Sequence, residues 1–589
     1  MRFSKICDFL NAFLRYSSGN KTCRNFFLLL TFLSAAIIFS AAFFTRCALC
    51  FAEQKFKIPP NESSVQLPAN IDVCLIDNFK TAEISVSGNF SLKAFDGGGR
   101  EKLNIKSSAL SLKVERITSS KPAVIKYYAV LKTFPYSYLQ REDKKKDALD
   151  VITALEKIFG KPVFFTYGCI LKPARADFSI DVRTLFTAHG PFETEERCRK
   201  FCDEARASHK ITAFAHPVRE KKSVCRFDVS IGHAAIKNGK DISLKNIARL
   251  EVAPDGPAII KNMEFGRGDK WHNFKDAKYA GSLKISGDNS GLIQIVNEIS
   301  FEELLKVVVP SEIEPDSAYQ AICAQAVAAR SEVLAKYKTR HTESDYDFCS
   351  GTHCQAYGGI NNRRKQSDRA VDETAGKIVF SNGHIVDTVY HANCGGLTED
   401  SNKIWSAPFD SALVKITDST TETAIDLSTN EAAIRKFITD APASYCSVPG
   451  ACNNPDKYRW TREFSRTEME HMIKKQFDIG ALKAVDVLER GASGRVVAIA
   501  LKGSRKTEKV YKELPIRKLF GMLRSSLFVL EVLPGNAAGS EERFIFKGAG
   551  WGHGVGLCQD GAKGMAILGK NYEQILLHYY SNSKIISFD

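Results

Sequence analysis

The stretch from Leu304 to Tyr337, LLKVVVPSEIEPDSAYQAICAQAVAARSEVLAKY, constrains the fold more than any other part of the chain. Its apolar run Leu304 to Val309 reads as a buried strand or the close of a helix, halted by Pro310, which lacks the N–H that a backbone ladder needs. After the loop SEIEP, Ser317 and Gln320 have the spacing of a capping box, and the Ala-rich run beyond them predicts a helix from about Ala318 to Tyr337. Ala321, Ile322, Gln325, Ala328, Ala329 and Val333 would share one face of it. Glu312 then stands in a short loop between an apolar segment and a helix start, where a carboxyl can be held half-buried with a raised pKa. That placement suits a general acid; a solvated loop glutamate is the plainer alternative.

Two later stretches join this one: YHANCGGLTEDSNKIW, Tyr390 to Trp405, and GAGWGHGVGLCQDGAKGMA, Gly548 to Ala566. Taken in order with VVVPSEIEP and AICAQAVAARSEVL, they resemble the SpoIID/LytB family, whose pattern runs roughly V-V-x-S-E-M-P and then A-L-K-A-Q-A-x-A-A-R-T. The resemblance covers about Lys284 to Asp589. It implies an α+β fold, with a mixed, β-rich catalytic domain in which a helix carries the active-site loop. It also implies a peptidoglycan lytic transglycosylase, in which one acid protonates the oxygen between MurNAc and GlcNAc. The same group, as carboxylate, then draws the proton from the MurNAc C6 hydroxyl and closes a 1,6-anhydro ring, on strands already denuded of peptide. Glu312 matches the family's acid, and Glu314 is the rival carboxyl. Arg330 matches the motif arginine, expected to reach the glycan or the acid unless it is a helix-surface cation. The chain departs from the pattern at Cys323, where family members often carry Lys. From a different class, the LytB side of the family implies a non-catalytic wall-binding activator of an amidase. A zinc hydrolase is a third reading, and no His-Glu-x-x-His helix supports it.

DFCSGTHCQAYGG brings Cys349, His353 and Cys354 close together in a Gly-containing loop, and thiolate with imidazole suits Zn2+. Some family members bind zinc near this position through two His and two Cys. That resemblance adds His341 as the fourth ligand, with His391 and Cys394 of HANCGG as competitors and a Cys349–Cys354 disulfide as the metal-free reading. The metal's expected role is structural. Gly395, Gly396 and the run GWGHGVG let backbone approach a flat sugar ring, since glycine lacks a Cβ. Trp551 and His553 are candidates to stack on and hydrogen-bond to sugars, as similar motifs line the family's groove; His553 could equally be a satisfied core histidine.

No charge interrupts Asn25 to Thr45, and Arg2, Lys5, Arg15, Lys21 and Arg24 precede it. Residues 1–24 therefore read as a basic cytoplasmic N-terminus and 25–46 as a transmembrane or signal segment. The rest is expected in the cell envelope, anchored to the cytoplasmic membrane by the N-terminal helix or released to the periplasm after a cut before Glu53. The net charge of +15 points to a polyanion, met by a wall polymer or a membrane surface. No RNP-like motif, zinc finger or P-loop lysine motif appears, so nucleic acid is not expected. The expected partners are peptidoglycan glycan strands and an N-acetylmuramoyl-L-alanine amidase. Of sixteen cysteines, Cys7, Cys23, Cys47 and Cys50 belong to the targeting segment or its edge. Among the others, Cys198 with Cys202 and Cys446 with Cys452 are candidates for local pairing.

Along the chain, alternating runs such as AEISVSGNFSLKAF make residues 53–150 a β-rich module. Within it the charged run Arg141 to Lys146 reads as a solvated turn, followed by the helix ALDVITALEKIFG, closed by Gly160. Residues 151–240 form an α+β module whose strand, helix and strand around Asp177 to Val218 are faintly similar to SPOR modules, which bind peptide-free glycan. Residues 241–589 form the catalytic domain, with its boundary near Lys240, and the stretch from Trp405 to about Gly539 reads as the family's own C-terminal half.

Overall fold

The computed structural model describes residues 64–66, 69–172, 179–232, 241–265, 273–351, 353–405, 409–419, 427–535 and 541–588. The expected segments 1–24 and 25–46 lie outside them. Among the described residues no helix is long and apolar enough to cross a membrane. The fold is mixed α and β and rich in strand. It divides into two units. In the described part of the smaller, residues 137–164, the main element is the helix Glu142–Phe159, closed by Gly160 at φ 81°. Its first turns take in much of the run Arg141 to Lys146: those charges begin a helix rather than turn the chain, with Ala148, Leu149, Ile152 and Leu155 buried at helical spacing behind them.

The larger unit is built on an eleven-stranded sheet. Its continuous order is Ile242–Ile247, Val224–Ile231, Glu101–Lys121, Ala82–Phe95, Arg249–Pro254, Ser282–Gly287, Ile293–Ser300, Asn70–Phe79 and Phe348–Cys349. Ala258–Phe265 pairs with both Ala82–Phe95 and Asn273–Tyr279. The alternation that marks Ala82–Phe95 as a strand buries Ile84, Val86, Phe90, Leu92 and Ala94 on one face. Strands on both sides of residue 240 share this sheet and one apolar core that extends from Ile71 to Phe588. Local pattern marks strands but not their distant partners, so a boundary drawn at residue 240 does not separate two cores.

Between the paired strands Glu101–Lys121 and Val224–Ile231 the chain leaves this sheet to build another of four strands. Its members in chain order are Val124–Pro135, Val163–Tyr167, Thr184–Phe192 and Phe214–Lys221, ordered in space fourth, first, third, second. The helix Glu195–His209 follows the third of these strands.

The helix Tyr319–Lys336 stands at the centre of the rest, and every residue from Ala321 to Leu334 is buried. It meets the helices Phe301–Glu312, Lys365–Glu373, Gln559–Ile567 and Tyr572–Tyr579 and the strand Lys377–Ser381. The expected single apolar face is therefore an apolar circumference, and its alanines let neighbours approach on all sides. The expected capping box is not formed. Ser317 Oγ has no hydrogen-bond partner, Gln320 Oε1 instead accepts from the backbone N–H of Tyr572 (2.9 Å), and the N-cap is Ala318. A second core, from Trp460 to Phe546, fills between two three-stranded sheets in the C-terminal half.

Candidate active site

Pro310 does not stop the helix that begins at Phe301. It sits in the last turn, and the helix runs on to Glu312, closed by Ile313 N–H donating to Val309 O (3.0 Å). Glu312 is thus the last residue of a helix rather than a loop residue. The helix presents its partly negative end to the carboxyl, which disfavours ionisation. Glu312 is half-buried, and its Oε1 accepts from the backbone N–H of Ala356 (2.7 Å). Burial is the main force on its pKa. The Ala356 hydrogen bond pulls the value down and the nearby Glu332 charge pushes it up, and the result stands at about 7.

Glu314 is held the other way. Burial pushes its pKa up, but Lys563 (Nζ to Oε2, 2.8 Å) and Lys457 (3.5 Å) outweigh burial and hold it below the ordinary value, and Asn453 donates to the same carboxylate (3.1 Å). Of the two carboxyls in SEIEP, Glu312 can carry a proton near neutral pH and Glu314 is kept ionised.

Around Glu312 lie residues that its own segment does not reveal. Gln559 Nε2 donates to the Glu312 carbonyl (2.8 Å) and to Gln325 Oε1 (3.3 Å), linking the C-terminal motif to the acid. Tyr390 lies close enough to Glu312 and Glu332 for their charges to add to the effect of burial and hold its hydroxyl well above the ordinary pKa. Glu332 is buried, pairs with Lys336 and accepts from Gln355 Nε2 (2.8 Å), one residue before Ala356. Both Tyr390 and Gln559 lie inside the sequence motifs, but nothing in their local pattern says that they meet Glu312.

Arg330 does not reach a groove. It is 1% exposed and forms a fork to Glu302, with Nε to Oε1 at 2.9 Å and Nη2 to Oε2 at 2.8 Å. It also donates to Val371 O (3.2 Å) and Lys377 O (3.3 Å). It staples three elements of the core, because the helix that carries it is buried all round.

Gly395 and Gly396 are buried as well. A Cβ on Gly395, which has φ +74°, would come within 2.8 Å of the backbone of Ala549 and Gly550. These glycines serve a close approach of one chain segment to another, not of backbone to sugar. His553 is satisfied internally: Nδ1 accepts from Val555 N–H (3.0 Å) and Nε2 donates to Tyr390 O (2.9 Å). Burial lowers its pKa, so the ring is neutral. Trp551 is the exposed member of the group at 37%, with the Arg524 guanidinium 4.3 Å above its ring. Trp405, also 37% exposed, lies 4.9 Å from the His553 ring. The two exposed tryptophans thus have different neighbours, His553 for Trp405 and Arg524 for Trp551.

The four predicted metal ligands come together. One donor atom each from His341, Cys349, His353 and Cys354 lies within 4.8 Å of the others, with His341 Nε2 at 3.2 Å from Cys354 Sγ. His341 reaches the cluster across its longer spacing with a positive φ of 45°. Two imidazoles and two thiols fit a tetrahedral divalent ion. Ala356, the donor to Glu312, follows Cys354 by two residues, so a closed site here would fix that donor. Cys446 and Cys452 are both free thiols: Cys452 Sγ donates to Asn454 O (3.0 Å), and Cys446 Sγ lies 3.6 Å from that of Cys394. Cys198 and Cys202, a turn apart on one helix, are both free thiols.

Residues 289–380 match the family model described as stage II sporulation protein, and residues 399–556 match another, a domain of unknown function (DUF8618). The chain thus carries a domain of the SpoIID/LytB family, and much of the stretch read as that family's own C-terminal half has a separate model. Among curated relatives, an uncharacterized protein of Brachyspira hyodysenteriae is 25% identical over 314 residues, covering 53% of this chain and 73% of that one. The amidase enhancer of Bacillus subtilis is 26% identical over 297 residues, 48% of this chain and 40% of the relative. Stage II sporulation protein D of the same organism is 25% identical over 315 residues, 50% and 77%. These likenesses support a role connected with the cell wall.

Proposed function

We propose that the protein is a lytic transglycosylase that cuts the MurNAc–GlcNAc bond of denuded peptidoglycan strands and leaves 1,6-anhydro-MurNAc ends, with Glu312 as the acid. The observation that carries this reading is the contrast between the two carboxyls: Glu312 has its pKa near 7, while Glu314 is paired with Lys563 and Lys457. A single-acid mechanism needs a group that is protonated when it meets the leaving oxygen and basic once it has given the proton away. A pKa near 7 satisfies both halves of the cycle. The Ala356 N–H holds the carboxyl in place, and Gln559 ties the next motif against the same helix end. Trp405 and Trp551 offer the exposed rings on which sugar units stack. Zn2+ at His341, Cys349, His353 and Cys354 would supply rigidity to the loop that carries Ala356, since four protein ligands close the site to substrate. The four-stranded sheet before residue 222 is a second glycan-binding element on this reading, and residues 25–46 serve export, as a membrane anchor or as a cleaved signal.

A second reading, a wall-binding activator of an amidase, is favoured by the relative named amidase enhancer. Mass spectrometry of amidase-treated glycan strands incubated with the full-length protein separates the two. Anhydro ends formed by the native protein and not by Glu312→Gln support the transglycosylase; binding by both without cleavage refutes it and favours the activator.

A further inference from the structure

A second cluster of ligating groups lies apart from the predicted metal site. Cys394, Asp418, Cys446 and Cys558 are each 0% exposed, and one donor atom from each lies within 4.8 Å of the others. Cys394 Sγ stands 3.6 Å from Cys446 Sγ and 3.2 Å from Asp418 Oδ2. A tetrahedral ion with Zn–S bonds of about 2.3 Å separates its sulfurs by ~3.8 Å, so the cluster already has nearly the size of a single-ion site.

The surroundings are built for anionic sulfur. Cys558 Sγ accepts from the backbone N–H of Cys394 (3.1 Å) and of Gly561 (3.3 Å), and Cys394 Sγ accepts from that of Gly396 (3.3 Å). Asp418 is oriented by Cys446 N–H on Oδ2 (3.0 Å) and by the Tyr579 hydroxyl on Oδ1 (2.6 Å). Three thiolates and a carboxylate around a divalent ion leave two excess negative charges. Two guanidiniums stand beside them: Arg495, 1% exposed, donates to Cys394 O (2.8 Å), and Arg459 donates to Gly395 O (3.0 Å). Thiolate donors select a soft ion over Mg2+ or Ca2+.

We propose that Cys394, Cys446, Cys558 and Asp418 bind a structural Zn2+, independent of the site formed by His341, Cys349, His353 and Cys354. Binding releases the thiol protons to solvent and needs no oxidant. The ligands come from both edges and from the inside of the segment 399–556, so the ion joins that segment to the motifs before and after it. Gln559, the neighbour of Cys558, is then fixed where it donates to the Glu312 carbonyl.

The rival is a disulfide between Cys394 and Cys446. Zinc content of the purified full-length protein, measured by mass spectrometry for the native chain, Cys446→Ser, Cys349→Ser and the double variant, decides between them. Each single change is expected to remove one equivalent of zinc and the double change to remove both. Unchanged zinc in Cys446→Ser, or a Cys394–Cys446 bridged peptide in non-reducing digests, overturns the proposal. Should Cys446→Ser fail to fold, X-ray absorption at zinc in Cys349→Ser gives the same decision. A shell of three sulfurs is expected, and a shell of nitrogen and oxygen alone, or no zinc, refutes it.

Discussion

Replacing Glu312 by Gln is expected to make the protein more stable at alkaline pH while abolishing glycan cleavage. The folded carboxyl titrates at about 7 instead of the ordinary 4.5, chiefly because burial penalises its charge. At 1.36 kcal/mol per pH unit, that displacement is worth roughly 3 kcal/mol. Below the ordinary value both the folded and the unfolded chain hold the proton, and the carboxyl has no effect. Between the two values the unfolded chain has released its proton and the folded chain keeps it, so the native protein loses stability as pH rises. Above about 7 both forms are ionised and the whole penalty is present. Gln does not titrate and keeps a carbonyl oxygen for the Ala356 N–H. The variant should therefore match the native protein near pH 4.5 and exceed it by ~2–3 kcal/mol at about pH 8, read from paired urea midpoints. A difference that does not change with pH, or a native protein that is the more stable at high pH, would refute the argument that burial holds this proton.

Arg330→Met should lower stability by about 1–3 kcal/mol, because the core carbonyls of Val371 and Lys377 lose their donor while the partly exposed Glu302 is left to water; a folded variant that lost only glycan affinity would contradict the staple. Gly395→Ala meets backbone at 2.8 Å and a φ of +74°, so a loss of about 2 kcal/mol or more is expected in thermal melts, and a neutral change would show that the segments at 395 and 549 can separate. Trp551→Ala touches an exposed ring, so the melting temperature should hold while affinity for denuded glycan falls on the order of tenfold in pull-down titrations; a collapse in stability with binding intact would reverse that assignment.

Much of this was legible in the sequence wherever local pattern decides the outcome. The strands at 82–95, 258–265 and 293–300, the helix ended by Gly160 and the helix after Ala318 follow from alternation, punctuation and propensity. Three donors of the first ligand cluster, Cys349, His353 and Cys354, followed from spacing, and the fourth, His341, only from the family resemblance. The second cluster did not, because Cys394 and Cys558 are far apart in the chain and meet only through the parallel pairing of Tyr390–His391 with Leu557–Cys558. Pro310 misled for a related reason. It stops an isolated helix, but here the burial of Val307 to Pro310 carries the last turn past it to Glu312. Arg330 looked available because helix position gives the direction of a side chain, not what covers it.

The excursion between Lys121 and Val224 bears on how the large sheet can assemble at all. Those two residues are partners in neighbouring strands, yet a long piece of chain separates them. Joining distant residues through a slack chain carries an entropic charge that grows with the logarithm of its length. The four-stranded sheet removes most of that burden, because Val124 and Lys221 are themselves partners in it. Once it has formed, it hands the two ends back side by side, and the strands that follow meet as if across a short turn. A chain rejoined from Lys121 to Val224 by a tight hairpin should therefore still build its large sheet.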